Sequence, residues 1–586
     1  MKMRSVIALL LSVVTIIASF TLGSCTSQKP KIQLSYDDQI KEDNSFNNNL
    51  FYRNDLVIPV ADPSVIHITD KDSSEYGYYY CYGTNSTTSF IAYRSKDLVT
   101  WENVSDLKGF PVFYPPDDNF AYDTLWAPEV IYDESDGKYY MFYSGNNRYK
   151  QDVDSWAVMI GLAVADEPYG PFVPYVDATH NAKTTLFDDE KIMAAARRTL
   201  PDAGPLWTCI DPHPFVAPDG TKYLIFTADR AGKYQKTQIW GIKMKSWGEP
   251  DYDTLTQLTK TGYYTVDGEE INPAEGKNNN INEGSFIYIH KKSDGTYRYI
   301  LVLSINSYRD KSYCVIQAVA DNPLGPYRKL TEEEGGIILS TDHMSWDFIS
   351  GPGHNSFIRV GDEMFIVYHA HIDREKGGSE RAIAIDRVCI TTNDKGEEVL
   401  YVNGPTWSLQ PRPVLYSDYK NIASDAKVSA TNGSNVEALT DGLLSLYKQS
   451  FVKEFETDKT TTITLDFGDY REITGLMIYN SKNYEKAFPE VTNIEFDFVN
   501  DELPNGAIAY INNLKFNWKM YKNEYADEMR PGGSAVAIFN PLKVKQIRIT
   551  FKLPMTRPED IQLMDDQGYI IDQTSVALSE IVVLGK

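Results

Sequence analysis

Five copies of one short phrase place ionisable side chains at intervals along the chain. Ala61-Asp62-Pro63-Ser64, Trp126-Ala127-Pro128-Glu129, Ile210-Asp211-Pro212-His213, Glu283-Gly284-Ser285-Phe286 and His354-Asn355-Ser356-Phe357 recur at spacings of 65 to 84 residues. Aligned on their polar members, the equivalent positions are Asp62, Ala127, Asp211, Glu283 and His354. Three carboxyl groups gathered from distant segments suit acid–base hydrolysis of a glycosidic bond. One protonated carboxyl donates to the leaving oxygen and one carboxylate activates water or attacks carbon. A third raises the pKa of the acid by like-charge repulsion. Oxygen ligands also suit calcium, but the alternating Asp and Asn of a dedicated calcium loop are missing, which leaves only a structural ion near His354. A lone Asp-Pro is a turn dipeptide. Two of them at equivalent places, joined by a Glu in the next copy, are not explained as turns. His354 reads either as part of this group or as a core histidine bonded to backbone, and Glu129, Asp133 and Asp136 read as turn or strand-surface groups.

The elements that must hold these groups are strands. Each phrase leads through a turn into a second β-rich run, with Asp136-Gly137, Asp219-Gly220, Asp294-Gly295 and Gly361-Asp362 at the turns. Asp-Gly between such runs is a strong hairpin signal. A second phrase, Ala163-Val164-Ala165-Asp166-Glu167-Pro168, returns as Ala318-Val319-Ala320-Asp321-Asn322-Pro323 and marks the outer part of a sheet. Repeated units of several strands predict an all-β chain that begins with a five-bladed β-propeller, whose first strands converge on a central axis. A plain sandwich predicts no repeated phrases. The prolines after Asp62 and Asp211 predict extended backbone at both carboxylates.

Val60-Ala61-Asp62-Pro63-Ser64, Trp126-Ala127-Pro128-Glu129, Ile210-Asp211-Pro212, Asn282-Glu283-Gly284-Ser285 and Gly351-Pro352-Gly353-His354-Asn355 together resemble glycoside hydrolase family 43, a family of five-bladed propellers. The likeness covers residues 51–415. It implies that Asp62 is the general base, Glu283 the general acid, and Asp211 the residue that tunes and orients Glu283. It also implies that His354 stands near the axis beside calcium or water, that Trp126 walls the sugar pocket, and that Arg381 contacts sugar. The family inverts configuration, so base and acid are expected about 6.5 to 9.5 Å apart, with room for water. Retaining relatives carry Asn-Asp-Pro-Asn and Glu-Cys phrases; here those places read Ala61-Asp62-Pro63-Ser64 and Glu283-Gly284. Ser285 stands where many members have proline.

A chain of 586 residues exceeds one hydrophobic core and predicts more than one domain. Lys2 and Arg4, the apolar run from Val6 to Phe20, and Leu22-Gly23-Ser24-Cys25 read as an export signal too short to span a bilayer. This ending resembles a bacterial lipobox, with Cys25 lipidated. Residues 1–25 are thus expected as a lipoprotein signal peptide and the Asn-rich residues 26–50 as a flexible tether. Lipid alone would hold the protein to the bacterial outer membrane, on either the periplasmic or the surface face. After the propeller, residues 420–586 alternate with period two, as in Ile463-Thr464-Leu465-Asp466-Phe467, and predict a jelly-roll β-sandwich. Ala438-Leu439-Thr440-Asp441-Gly442 and Ser579-Glu580-Ile581-Val582-Val583 resemble the discoidin, or galactose-binding-like, domain, in which Tyr479 and Tyr484 are read as packing residues. Cys81, Cys209, Cys314 and Cys389 lack zinc spacing and read as buried thiols in strands.

A net charge of −24 argues against nucleic acid as a partner, and no protein partner is predicted. The 40 Tyr and 9 Trp supply rings for sugar contact. The expectation is a lipid-anchored, inverting hydrolase of pentose-containing plant cell-wall oligosaccharides or polysaccharides, of the α-L-arabinofuranosidase or β-xylosidase type. It requires no cofactor, a structural calcium being the only ion considered. An exo-β-galactosidase of the same fold and a non-catalytic carbohydrate-binding lipoprotein are the alternatives.

Overall fold

The computed structural model describes residues 28–36, 49–204, 207–231, 236–266, 269–271, 273–341, 349–445, 451–483, 485–515, 518–519, 526–527, 532–556, 563–564, 567 and 570–586. The expected signal peptide with Cys25, and Tyr484, lie outside the described residues. The described residues form two compact units, one drawn from Tyr52–Trp407 and Leu446–Val452, the other from Met1–Phe51, Ser408–Ser445 and Lys453–Lys586.

In the first unit five antiparallel sheets of at least four strands follow one another along the chain, each made from one continuous stretch and ordered as the sequence runs. Their first strands are Ala61–His67, Trp126–Asp133, Trp207–Val216, Asn282–Lys291 and Gly353–Val360. This is a five-bladed β-propeller. The second repeated phrase sits where it was expected, at the outer edge of blades two and four, where Val164 pairs with Val173 and Val319 with Arg328. Apolar side chains fill the wedges between neighbouring blades. Tyr82, Phe90 and Phe113 of blade one meet Met141 and Tyr143 of blade two, and Phe142 of blade two meets Trp207, Phe226 and Trp240 of blade three. Phe215 and Ile225 of blade three meet Leu301 and Ile316 of blade four.

The start of each inner strand carries the same irregularity. Pairing to the second strand skips between Ala61 and Ser64, Trp126 and Glu129, Ile210 and His213, Glu283 and Phe286, and Gly353 and Ser356. Each skip is a β-bulge, and the residue that opens it is left-handed: Asp62 (φ 52°), Ala127 (43°), Asp211 (53°), Gly284 (57°) and His354 (43°). Two expectations are corrected here. Asp62 and Asp211 are not extended before their prolines, because the bulge and not the proline sets their backbone. Glu283 is equivalent to Ala61, Trp126, Ile210 and Gly353; the true counterpart of Asp62 and Asp211 is Gly284. Alignment on the acid placed blade four one residue out of register.

A left-handed residue turns its N–H out of its own ladder, and a buried N–H needs an acceptor. The preceding blade supplies it. Thr84 Oγ1 accepts from Ala127 (2.8 Å), Ser144 Oγ from Asp211 (3.1 Å), Ser304 Oγ from His354 (2.8 Å) and, closing the ring, His369 Nδ1 from Asp62 (3.1 Å). The fifth case differs: the Gly284 N–H donates to Asp211 Oδ2 at 3.1 Å, and Thr227 Oγ1, the equivalent hydroxyl, is buried without a partner among the described residues. A second set of bonds, with donors three residues on, joins three of the blade pairs. Ser356 Oγ accepts from Val65, Ser64 Oγ from Val130, and His213 Nε2 from Ile287. Between blades two and three the corresponding residue is Pro214, which has no N–H, and Glu129 instead accepts from His213 Nδ1 at 2.8 Å. Glu129 is thus a buried axial group, not the turn or surface residue that the sequence suggested.

The second unit holds a sheet with two long strands, Thr461–Asn480 and Ser534–Phe551. Their pairing breaks between Asp466 and Arg471, so one half of the pair joins Lys427–Ala430 and Glu490–Val499 while the other joins Val576–Gly585. Tyr479 is buried and its hydroxyl donates to the Leu409 carbonyl, a packing role as expected. The tether expectation needs correction: Lys31–Gln33 is a parallel edge strand on Ala507–Lys515, fixed by Lys29–Asp497 and Lys31–Glu495 ion pairs. Its short alternation, Lys31-Ile32-Gln33-Leu34, is masked in the sequence by polar neighbours. Cys81, Cys209 and Cys314 are buried, Cys389 is half-buried, and all four lie in strands. Among the described residues no helix is long and apolar enough to cross a membrane.

The inter-blade bonds make a paired prediction. Ser144→Ala leaves the Asp211 N–H buried without an acceptor and costs about 1–3 kcal/mol, whereas Thr227→Val removes a hydroxyl that bonds nothing and is neutral or stabilising. Thermal unfolding of the two variants beside wild type checks both; equal losses would remove the ring of bonds as a source of stability.

Candidate active site

The inner-strand starts surround one cleft of about 700 Å³, lined by Asp62, Asp211, Glu283, His354, Trp126 and Arg381, with Thr84, Tyr308 and Ile210 among its other walls. All six residues singled out in the sequence therefore meet in one place. Asp62 is held from several sides. Thr84 Oγ1 donates to Oδ2 at 2.6 Å, Arg381 donates to Oδ1 at 2.9 Å, and His354 Nδ1 lies 3.2 Å from Oδ1. Burial opposes the charge of Asp62, but Arg381 and then His354 outweigh it and hold the carboxyl well below its usual range. His369 Nδ1 also lies 3.4 Å from Oδ1, but that nitrogen accepts the Asp62 backbone N–H and has no proton to offer. Burial, then Arg381, pushes its pKa down to about 3, so the ring is neutral.

Glu283 is displaced the other way. Burial first, then repulsion from Asp211, raises its pKa to about 8, against a hydrogen bond from Tyr313 that favours the charged form. The Tyr313 hydroxyl donates to Oε1 at 2.9 Å, and its ring lies parallel to His369 with centroids 5.6 Å apart. Space for that ring comes from Gly353, where a Cβ would stand 2.1 Å from Tyr313. Asp211 reaches Glu283 both through space and through the chain, since it accepts the N–H of the next residue, Gly284. Gly284 must be glycine: its equivalents in the other blades carry side chains at the same positive φ, but here a Cβ would lie 2.8 Å from the His354 ring.

On the other side of Glu283, Asn282 is clamped by a fully buried ion pair. Lys329 Nζ donates to Glu275 Oε1 at 2.8 Å and Asn282 Oδ1 at 2.6 Å, and Asn282 Nδ2 returns a bond to Glu275 Oε2 at 2.8 Å. The side chains of Lys329 and Glu275 are 2% and 0% exposed. A pair so dry adds little net stability over an apolar one but tolerates few geometries.

Burial lowers the pKa of His354, but Asp62 and then Asp211 outweigh it and raise it to about 9, so the ring is an imidazolium. The Nδ1 that faces Asp62 is therefore a proton donor. Among the described residues no group of three or more His, Cys, Asp or Glu is placed to hold an ion. Arg381, expected on sugar, is bonded to Asp62 and stacks over the Tyr308 ring at 4.5 Å. Sequence reasoning missed Thr84, Tyr313, His369 and Tyr308. Thr84 and His369 pair with Ala61 and Gly353 at the far end of each second strand, so aligning the second strands as well as the first would have found them. Tyr313 and Tyr308 have no repeat signal.

The opposed carboxyls predict opposed stability effects. The folded chain keeps a proton on Glu283 that the unfolded chain releases, so stability is lost as pH rises from about 4.5 through 8. Glu283→Gln removes that loss and raises the unfolding temperature at pH 8 but not at pH 4. Asp62 contributes stability above the usual carboxylate range and loses it as pH falls. Asp62→Asn strands Arg381 and His354 and costs roughly 3–5 kcal/mol at neutral pH. Thermal scans at the two pH values test the pair, and a Glu283→Gln protein no more stable than wild type at pH 8 would contradict the assignment.

The profile of Glycosyl hydrolases family 43 matches residues 56–395. Among solved structures the chain is similar to a thermostable family-43 glycoside hydrolase, with 28% identity over 62% of this chain and 99% of that one and a TM-score of 0.46. It is similar to the endo-1,4-beta-xylanase of Bacteroides thetaiotaomicron at 24% identity, over 61% and 97% of the two chains, with a TM-score of 0.40. The alpha-L-arabinofuranosidase of Lactobacillus brevis shows 21% identity over 59% and 95%, with a TM-score of 0.41. No curated protein matches the chain.

Proposed function

We propose, for a chain that belongs to glycosyl hydrolases family 43 and is an inverting glycosidase, that Asp62 is the general base, Glu283 the general acid, and Asp211 the group that keeps the acid protonated and aimed. The observation that carries this reading is the opposite displacement of two buried carboxyls in one cleft, Asp62 held ionised and Glu283 held neutral at pH 7. Water bound against Asp62 gives up a proton to it as the oxygen attacks the anomeric carbon. The C–O bond to the leaving group breaks, and Glu283 delivers its proton to the departing oxygen. The product sugar is inverted, and both carboxyls return to their starting forms by exchange with solvent. Arg381 and His354 keep Asp62 ionised at the expense of basicity, since a lower pKa makes a weaker base. Trp126 offers a ring face to the sugar.

Pentose-containing plant cell-wall glycans are the proposed substrates, cleaved as α-L-arabinofuranosides or β-xylosides. The support is the family resemblance carried by the five repeated phrases. Leu22-Gly23-Ser24-Cys25 supports a lipid anchor on Cys25 in the outer membrane, and the second unit is proposed as a galactose-binding-like domain on its discoidin-like phrases.

The test is hydrolysis of 4-nitrophenyl α-L-arabinofuranoside, β-D-xyloside and β-D-galactoside, with the product anomer read by NMR. One pentoside is cleaved with inversion, and Asp62→Ala and Glu283→Gln lose that activity; cleavage of the galactoside alone would replace the pentose assignment. Activity requires a protonated Glu283, so it falls as pH rises through about 8. Tyr313→Phe removes a bond that favours the charged form and moves this limb to higher pH. An unmoved limb would separate Glu283 from the alkaline transition.

A further inference from the structure

The aromatic wall of the cleft continues beyond it. Trp126 lines the cleft, and the centroid of its ring is 5.5 Å from that of Trp156, tilted by 54°. Trp156 is outside the cleft lining and 36% exposed. It has company: Tyr114, Tyr122 and Tyr149 are exposed as well, so that four of the six exposed aromatic residues described in the propeller unit come from residues 114–156. Backbone contacts bring the segments together, since Ala121 bridges to Asn147 and the Asn147 N–H donates to the Ala157 carbonyl. Nor do the rings hang free. Gln151 donates to the Tyr122 hydroxyl at 2.6 Å, the Arg148 guanidinium lies 4.8 Å over the Tyr122 ring, and the Tyr149 hydroxyl donates to the Asp118 carbonyl at 3.0 Å.

Exposed rings grouped beside a cleft and held in place mark a binding surface. A ring with an apolar face and a polar edge matches a sugar, whose C–H face stacks while its hydroxyls stay wet. Continuity with the Trp126 wall identifies the occupant as the same glycan chain extended past the reacting unit. Resting on the function proposed above, we infer that Trp156 forms a subsite for a sugar residue beyond the one at the carboxylates. The substrate is then an oligosaccharide or polymer of several sugars, and Trp156 sets the preference for length.

Two substrates separate the subsite from the chemistry. A pentosyl fluoride of the anomer that the aryl-glycoside panel selects occupies only the reacting position, whereas linear pentose oligosaccharides of two to five units reach further. Trp156→Ala is expected to lower kcat/KM on the longer oligosaccharides roughly tenfold, a loss typical of a truncated aromatic anchor. It leaves the fluoride unchanged, and Trp156→Phe restores most of the oligosaccharide rate. Equal losses on both substrates, or no loss on either, overturn the subsite. Should wild type hydrolyse nothing, the catalytic reading fails by itself, and retardation in gels cast with arabinan or xylan decides the inference. Glu283→Gln is slowed and Glu283→Gln with Trp156→Ala is not; equal retardation overturns the subsite. A change of sedimentation coefficient in Trp156→Ala, with unchanged glycan binding, would assign the rings to a contact between copies of the chain and likewise overturn it.

Discussion

A buried N–H that leaves its own strand must be met by an atom from elsewhere. In this propeller five such groups stand at the inner ends of five blades, and the rest of the site follows from how they are met. Four are met by Thr84, Ser144, Ser304 and His369, each from the preceding blade. The bonds join each blade to the next and close the ring between the last and the first. They also fix functional side chains: the residues whose N–H groups are captured include Asp62, Asp211 and His354. Ring closure and placement of the charged groups are one set of hydrogen bonds.

The exception at blade four is where the chemistry concentrates. There the acceptor is the Asp211 carboxylate, and the captured N–H belongs to Gly284, the neighbour of Glu283. Asp211 is thereby tied to the backbone of the residue whose charge it opposes. Because Glu283 sits one position earlier in its bulge than Asp62 and Asp211 do in theirs, it enters the cleft from a different point of the strand. Three carboxyls at identical positions would be related by rotation alone; the offset breaks that symmetry. Asn282, pinned by Glu275 and Lys329, holds the acid from the chain side opposite Gly284.

Much of this was legible from residue types. Phrases repeated at near-regular spacing contain the propeller, because each blade is one continuous stretch, and the acids at their heads contain the cleft, because propeller strands converge. The offset of Glu283 was not legible from polar residues alone. Counting from the proline that follows Asp62, Ala127 and Asp211 puts Ser285 in the proline column and Gly284 in the carboxylate column, so the departure at Ser285 was itself the register signal. Proline led to the opposite error at Asp62 and Asp211, where tertiary bonding overrode a local preference for extended backbone. Glu129 was misread for a related reason: its partner is an imidazole three positions into another blade, used because Pro214 removes the N–H that its neighbours accept. The edge strand at Lys31–Gln33 shows no local signal strong enough to stand out from its polar surroundings.

Left-handed backbone at non-glycine residues costs of order 1–3 kcal/mol each and persists only where the surroundings over-determine it. Asp62, Ala127, Asp211 and His354 all carry that strain. Ala127 bears no functional side chain, yet keeps the same φ as the others, which shows that the conformation belongs to the fold and not to catalysis. The fold therefore supplies, at every blade, a strained position aimed at the axis and held by a neighbour. Charge is added at three of them by choice of side chain, and at a fourth the need for glycine displaces the acid to the residue before. Burial then acts on these groups unequally. Asp62 has Arg381 and His354 beside it and stays ionised, while Glu283 has Asp211 beside it and stays protonated. The two protonation states that acid–base hydrolysis requires thus arise from which neighbour each blade happens to face, on a backbone geometry that the ring must adopt in any case.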